Sequence, residues 1–140
     1  GLTGTVSTHT SSWSSYAAGA MFTADGVMHF ARSDLFEAIV PDWFPDARLA
    51  NRVSGAAEIV LGLGMLHPRT RRASALGLAA LTVIVFPANI DMAVNRVAVT
   101  PVDGSMQRRV GAATGPANWV RLPMQAPLLW WLWREARAAA

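Results

Sequence analysis

Four apolar stretches alternate with polar or proline-rich connections along the chain, at about 13–31, 50–67, 73–94 and 117–133. Each is close to the ~17–25 residues that a helix needs to cross a bilayer. Helices of this length with one wet face show a broad charged stripe, yet the second stretch holds only Glu58 as a charge between Ser54 and Leu66. The pattern predicts an all-α fold, a four-transmembrane-helix bundle. Small residues recur within the stretches, at Ala17–Ala20, Gly55–Ala57, Gly62, Gly64, Ala73 and Gly77. In lipid such residues let helix backbones approach closely.

The connections differ in character. SDLFEAIVPDWFPDARL, between the first two helices, has Pro41 and Pro45 and mixes apolar with acidic residues. It reads as an interfacial segment lying on a membrane surface. NRVAVTPVDGSMQRRVGAATGPAN, before the last helix, reads as an exposed loop. The first twelve residues, GLTGTVSTHTSS, lack the basic and apolar regions of a signal peptide. The expected organisation is a flexible polar N-terminus over 1–12 and a single membrane domain over 13–140.

Charge placement orients the bundle. The short connection HPRTRRA holds Arg69, Arg71 and Arg72, and the C-terminal end adds Arg134 and Arg137. Positive residues in short loops favour the cytoplasmic side, so both termini are expected in the cytoplasm. Trp13, Trp130, Trp131 and Trp133 then fall at the inner interface, and Trp43 and Trp119 at the outer one. This places His29, Glu58, Asn89, Asp91, Arg121 and Gln125 together in the outer half. The run VIVFPANIDM belongs to the same level, with Pro87 freeing a carbonyl inside a helix that continues past it. A carboxylate at depth needs a partner, and Arg121 is the expected counter-charge for Glu58, with His29 sharing the site. The cluster reads either as a ligand- or proton-handling site or as a structural network that fixes helix register.

Composition narrows the possibilities. Apolar residues make up 52% of the chain and charged residues 15%, against roughly 25% charged in typical soluble domains. The absence of cysteine excludes disulfides and thiol chemistry. All twelve basic residues are arginine, scattered among acidic ones, which argues against a nucleic-acid partner. His9, His29 and His67 fall in different segments, so no metal centre is expected. No nucleophile elbow, phosphate loop or dinucleotide fingerprint occurs, and no catalytic residue is assigned.

Several phrases together resemble the DoxX and DoxX-like family of small bacterial membrane proteins. They are DGVMHF (25–30), IVPDWFP (39–45), SGAAEIVLGLGML (54–66), RTRRASALGLAALTVIVFPANIDMA (69–93) and RLPMQAPLLWW (121–131). The resemblance covers about 17–133 and implies a four-helix integral protein of the bacterial inner membrane, associated with redox or detoxification enzymes. It carries over no catalytic residue set. The expected function is therefore an accessory or anchoring subunit of a membrane redox-related or transport complex, with lipid and other membrane subunits or further copies of itself as partners. One alternative is a quinone- or lipid-binding oxidoreductase component using the outer-half cluster. A small-molecule transporter is the other.

Overall fold

The apolar stretches do fold as helices, and each boundary has a local cause. The computed structural model describes residues 7–139. Helix α1 (Ser7–Ala31) runs into the short α2 (Ser33–Glu37). Helix α3 (Ala47–Gly64) starts behind Pro45, where the Asp46 carboxylate accepts a hydrogen bond from the Leu49 N–H at 3.0 Å, satisfying one of the free donors of the first turn. Helix α4 (Arg71–Val94) follows a tight connection. There the Thr70 hydroxyl donates to the Gly64 carbonyl at 2.7 Å and Arg71 Nε to the Met65 carbonyl at 2.8 Å. Strands β1 (Ala98–Val102) and β2 (Ser105–Arg109) precede the last helix, α5 (Ala117–Ala138).

This architecture overturns the four-transmembrane-helix bundle. The described residues form five helices and an antiparallel two-stranded ribbon, and among them only α4 is both long and apolar enough to cross a membrane. The reason is polar content. Helix α1 is rich in serine and threonine at its start, and α3 carries Arg48, Arg52 and Glu58 within 18 residues. Helix α5 combines Arg121, Arg134, Glu135 and Arg137 with Pro123 and Pro127. Each charge costs ~2.5–3.5 kcal/mol at a bilayer centre, which a run of the right length does not by itself offset. The expected interfacial segment is α2 followed by turns. Of the expected flexible N-terminus, residues 1–6 lie outside the described residues, and from Ser7 the backbone is helical.

The expected loop before the last helix also has regular structure. Ala98 pairs with Arg109 and Val102 with Ser105 across the ribbon. Asp103 (φ 48°) and Gly104 (φ 84°) form its two-residue turn, the doubly left-handed geometry whose twist matches a tight hairpin. Pro101 lacks an N–H, which a two-stranded ribbon accommodates because each strand has a free edge.

Helices α1 and α3 pack closely through facing glycines. A Cβ on Gly19 would sit 2.7 Å from the Gly62 carbonyl oxygen, and one on Gly26 2.7 Å from that of Gly55. The two glycine pairs lie seven residues apart on antiparallel helices, so both fall on one face of each. Helix α4 packs extensively on α5. Ala18, Phe22, Met65, Leu78, Leu132 and Ala136 form the apolar core where the long helices meet. Along α4 the core lies at one end, a cavity-lining threonine midway and the Asp91 contact with the ribbon at the other end. At the core end, Trp131 Nε1 donates to Ser14 Oγ at 2.6 Å, and the Ser15 hydroxyl to the buried Glu135 carboxylate.

Candidate functional site

Asp25 and His29 are one turn apart on α1, a spacing that puts both on the same helix face. The glycine contacts bring α3 against that face and deliver Glu58 and Asn51. His29 Nε2 lies 3.6 Å from Asp25 Oδ2 and 3.7 Å from Glu58 Oε2. The ring stacks on Phe36 with centroids 4.0 Å apart, and its Nδ1 is 2.9 Å from Asn51 Oδ1. Asn51 Nδ2 in turn donates to the His29 carbonyl at 2.8 Å. That bond fixes which way the amide faces. Asn51 therefore presents its oxygen to Nδ1, which must carry the proton. The imidazole is held by stacking on one side and by a reciprocal pair of hydrogen bonds on another.

The electrostatics follow from the crowding of two carboxyl groups. Glu58 is only 13% exposed, whereas Asp25 is 49% exposed. Burial pushes the Glu58 carboxyl up to about 9, and the neighbouring Asp25 adds to the rise. Asp25 is held below the usual carboxylate range, chiefly by the adjacent His29 imidazole and despite partial burial. Like charges at this distance do not both ionise easily, so the pair divides into one acid and one base.

Next to these groups lies a cavity of about 270 Å³, to which α1, α3, α4 and α5 all contribute. Its walls are Met21, Phe22, Leu81, Val85 and Leu128, and its polar groups are Asp25, Glu58, Thr82 and Gln125. The Thr82 hydroxyl is occupied, donating to the Leu78 carbonyl at 2.8 Å. Glu58 Oε2 and Gln125 Oε1 are buried without a hydrogen-bond partner. An orphaned buried polar atom costs about 1–3 kcal/mol.

The structure thus splits the sequence-derived cluster in two. Glu58 and Gln125 line the cavity, and His29 stands beside Glu58 just outside it. Asp91 does not join them: its carboxylate accepts from Arg108 Nη2 at 2.6 Å and from Asn95 Nδ2 at 2.6 Å. Arg121, the expected partner of Glu58, instead points its guanidinium at Met92 Sδ, 3.6 Å away. Glu58 and Arg121 form no ion pair among the described residues. Asn89 is half-buried on α4, and nothing in the structure ties it to either group.

The second group is a latch for the ribbon. Arg108 on β2 also pairs with Asp42 at 3.0 Å and reaches the Ala38 carbonyl at 3.4 Å. The Met106 N–H donates to Asp34 at 2.8 Å, and this bond chiefly holds the Asp34 carboxyl below its ordinary value. Buried Asn118 closes the same end, donating to the Met92 and Val97 carbonyls at 2.9 and 3.0 Å.

Sequence reasoning misses Asn51, Thr82 and Arg108, and it sets Asp25 one turn from His29 without assigning it to the site. Asp25 was within reach, because an Asp and a His four residues apart on a helix share a face. Asn51 and Thr82 carry no such signal, and the role of Arg108 depends on a ribbon that was read as a loop. No curated protein and no solved structure matches the chain. Residues 18–136, almost the whole of the helical body just described, match one family model, and the chain belongs to that family, the domain of unknown function DUF8561.

Proposed function

We propose that this protein is a membrane-associated domain that binds the hydroxyl-bearing head of an amphiphile, a quinol or a lipid, in the cavity between its long helices. The observation that carries the reading is the pairing of apolar walls with two unpartnered buried oxygens, Glu58 Oε2 and Gln125 Oε1. Gln125 Oε1 accepts as placed, so a ligand hydroxyl supplies its missing donor, while the Glu58 carboxyl, kept protonated by burial, can donate to the oxygen of the same hydroxyl. A pocket that is mostly apolar with a few convergent polar groups is the usual form of a small-molecule site.

Membrane association is supported by α4, the helix able to cross a bilayer, whose Val83, Ile84, Ile90 and Val94 are exposed. Acyl chains would cover this surface. Trp130 and Trp133 are exposed on α5, where an indole suits a membrane interface. The basic end formed by Arg69, Arg71, Arg72 and Arg137 would face the cytoplasm. In this reading the chain serves a membrane complex as an accessory subunit.

The test is equilibrium binding of a short-chain benzoquinol and of a monoacylglycerol to the full chain in mild detergent. We expect saturable one-to-one binding of one of them, and which one distinguishes a quinol site from a lipid site. Replacing Gln125→Leu should weaken it at least tenfold, by leaving the ligand hydroxyl unpaired and filling part of the cavity. Failure of both compounds to bind, or equal binding by Gln125→Leu, overturns the reading.

A further inference from the structure

We infer that Asp25, His29 and Glu58 form a binding site for a single divalent transition-metal ion such as Zn²⁺ or Mn²⁺. The inference rests on further groups than the amphiphile reading does: Asp25 and Glu58 also line the cavity, but His29 and Asn51 do not.

Three observations carry it. First, one donor atom from each residue lies within 4.8 Å of the other two. The separations from His29 Nε2 are 3.6 and 3.7 Å. These are too long for hydrogen bonds. Two donors that each sit about 2.1 Å from one ion at tetrahedral angles are roughly 3.4 Å apart. The gap fits an ion better than it fits a direct contact.

Second, the imidazole is set up as a ligand. Asn51 is anchored by its own bond to the His29 carbonyl, so its oxygen takes the Nδ1 proton. In the neutral imidazole this leaves the lone pair on Nε2, aimed at two carboxyl groups. A hydrogen bond from the far ring nitrogen to a fixed acceptor is the usual way a metal-binding histidine is oriented. Stacking on Phe36 holds the ring plane.

Third, Glu58 Oε2 is buried and unpartnered, pointing to a missing neighbour at this spot. One imidazole and two carboxylates suit borderline and hard divalent ions rather than soft ones. Three protein ligands leave a coordination position open. Asp25 and Glu58 are shared with the cavity wall, so that position is accessible to a molecule bound there.

The experiment titrates Zn²⁺ and Mn²⁺ into the untagged, metal-stripped full chain by calorimetry, with metal content after dialysis measured by mass spectrometry. One ion per chain is expected. His29→Gln and Asp25→Asn should each lower affinity at least tenfold, and Asn51→Ser, which loosens the ring without removing a ligand, by about 10–100-fold. Gln125→Leu should bind metal as the parent does, which separates this site from the amphiphile site. Asp25 is half exposed, so Asp25→Asn should fold normally (checked by circular dichroism) even if changes at His29 do not. No stoichiometric binding by the parent chain overturns the inference, as does binding that Asp25→Asn leaves unchanged. The second outcome would mean an ion held only by surface groups such as His67.

Discussion

Replacing Gly26→Ala tests whether close contact between α1 and α3 builds the site. Two opposing effects follow from one added methyl group. Alanine is favoured over glycine within a helix by roughly 0.5–1 kcal/mol. Against this, the new Cβ would lie 2.7 Å from the Gly55 carbonyl oxygen, 2.7 Å from Ile59 Cγ1 and 2.9 Å from the Ile59 nitrogen. Two of the three are backbone atoms, so relief requires moving a helix, and overpacking of this kind costs about 1–3 kcal/mol. The clash wins, with a net loss of about 1–2 kcal/mol. For a chain of this size that corresponds to a fall of roughly 3–10 °C in Tm. Gly77→Ala is the matched control. Its Cβ would meet only the ends of the Leu61 side chain, at 2.9 and 3.1 Å, which can rotate away. That variant should keep or slightly raise its Tm. Heating both variants under identical conditions, followed by circular dichroism, decides the matter. Equal or greater stability of Gly26→Ala relative to Gly77→Ala would refute the reasoning. Because Asp25 and His29 flank Gly26, and Glu58 precedes Ile59, the same swelling should also pull the three side chains apart.

Two further outcomes concern the ribbon. Arg108→Gln removes the cation from a carboxylate that is only 6% exposed. Breaking a buried ion pair from one side costs about 3–5 kcal/mol. Asp91 keeps its bond from Asn95, so we expect about 2–3 kcal/mol and faster amide exchange across residues 98–109, and unchanged exchange there would argue against a latch. The Asp34 carboxyl titrates below its ordinary 3.8 when the Met106 N–H is docked on it. Its contribution is therefore fully present above about pH 4 and lost as pH falls through the lower folded value. Protection of the Met106 amide should fall on acidification into that range, and Asp34→Asn should flatten the dependence.

The helices were legible because each is an apolar run bounded by a recognisable stop, such as Pro45–Asp46 before α3 or the basic turn before α4. What misled was treating length as sufficient for a membrane span, when Arg48, Arg52 and Glu58 in α3 and the two prolines of α5 count against it. The ribbon was signalled by Asp103-Gly104 between two short runs, but Pro101 and the surrounding glycines made it look like coil. For the site, sequence depth puts His29, Glu58 and Gln125 at one level, and in the structure Glu58 lies beside His29 and shares a cavity with Gln125 because antiparallel neighbours share levels. It could not tell which residues at one level face each other. Asp91 and Arg121 sit on faces turned toward the ribbon end, and helix rotation is set by packing such as the Gly26–Gly55 contact, which a linear reading does not contain.

The turn at Asp103 and Gly104 has one practical corollary. A Cβ at Gly104 would meet nothing within 4 Å, while the strands on either side are anchored through Met106 and Arg108. A short peptide epitope or a fluorophore-labelling tag spliced at this tip would extend into open space, leaving the helical body undisturbed. Such a handle would let the protein be tracked or captured, and would report which side of a cell membrane the tip occupies.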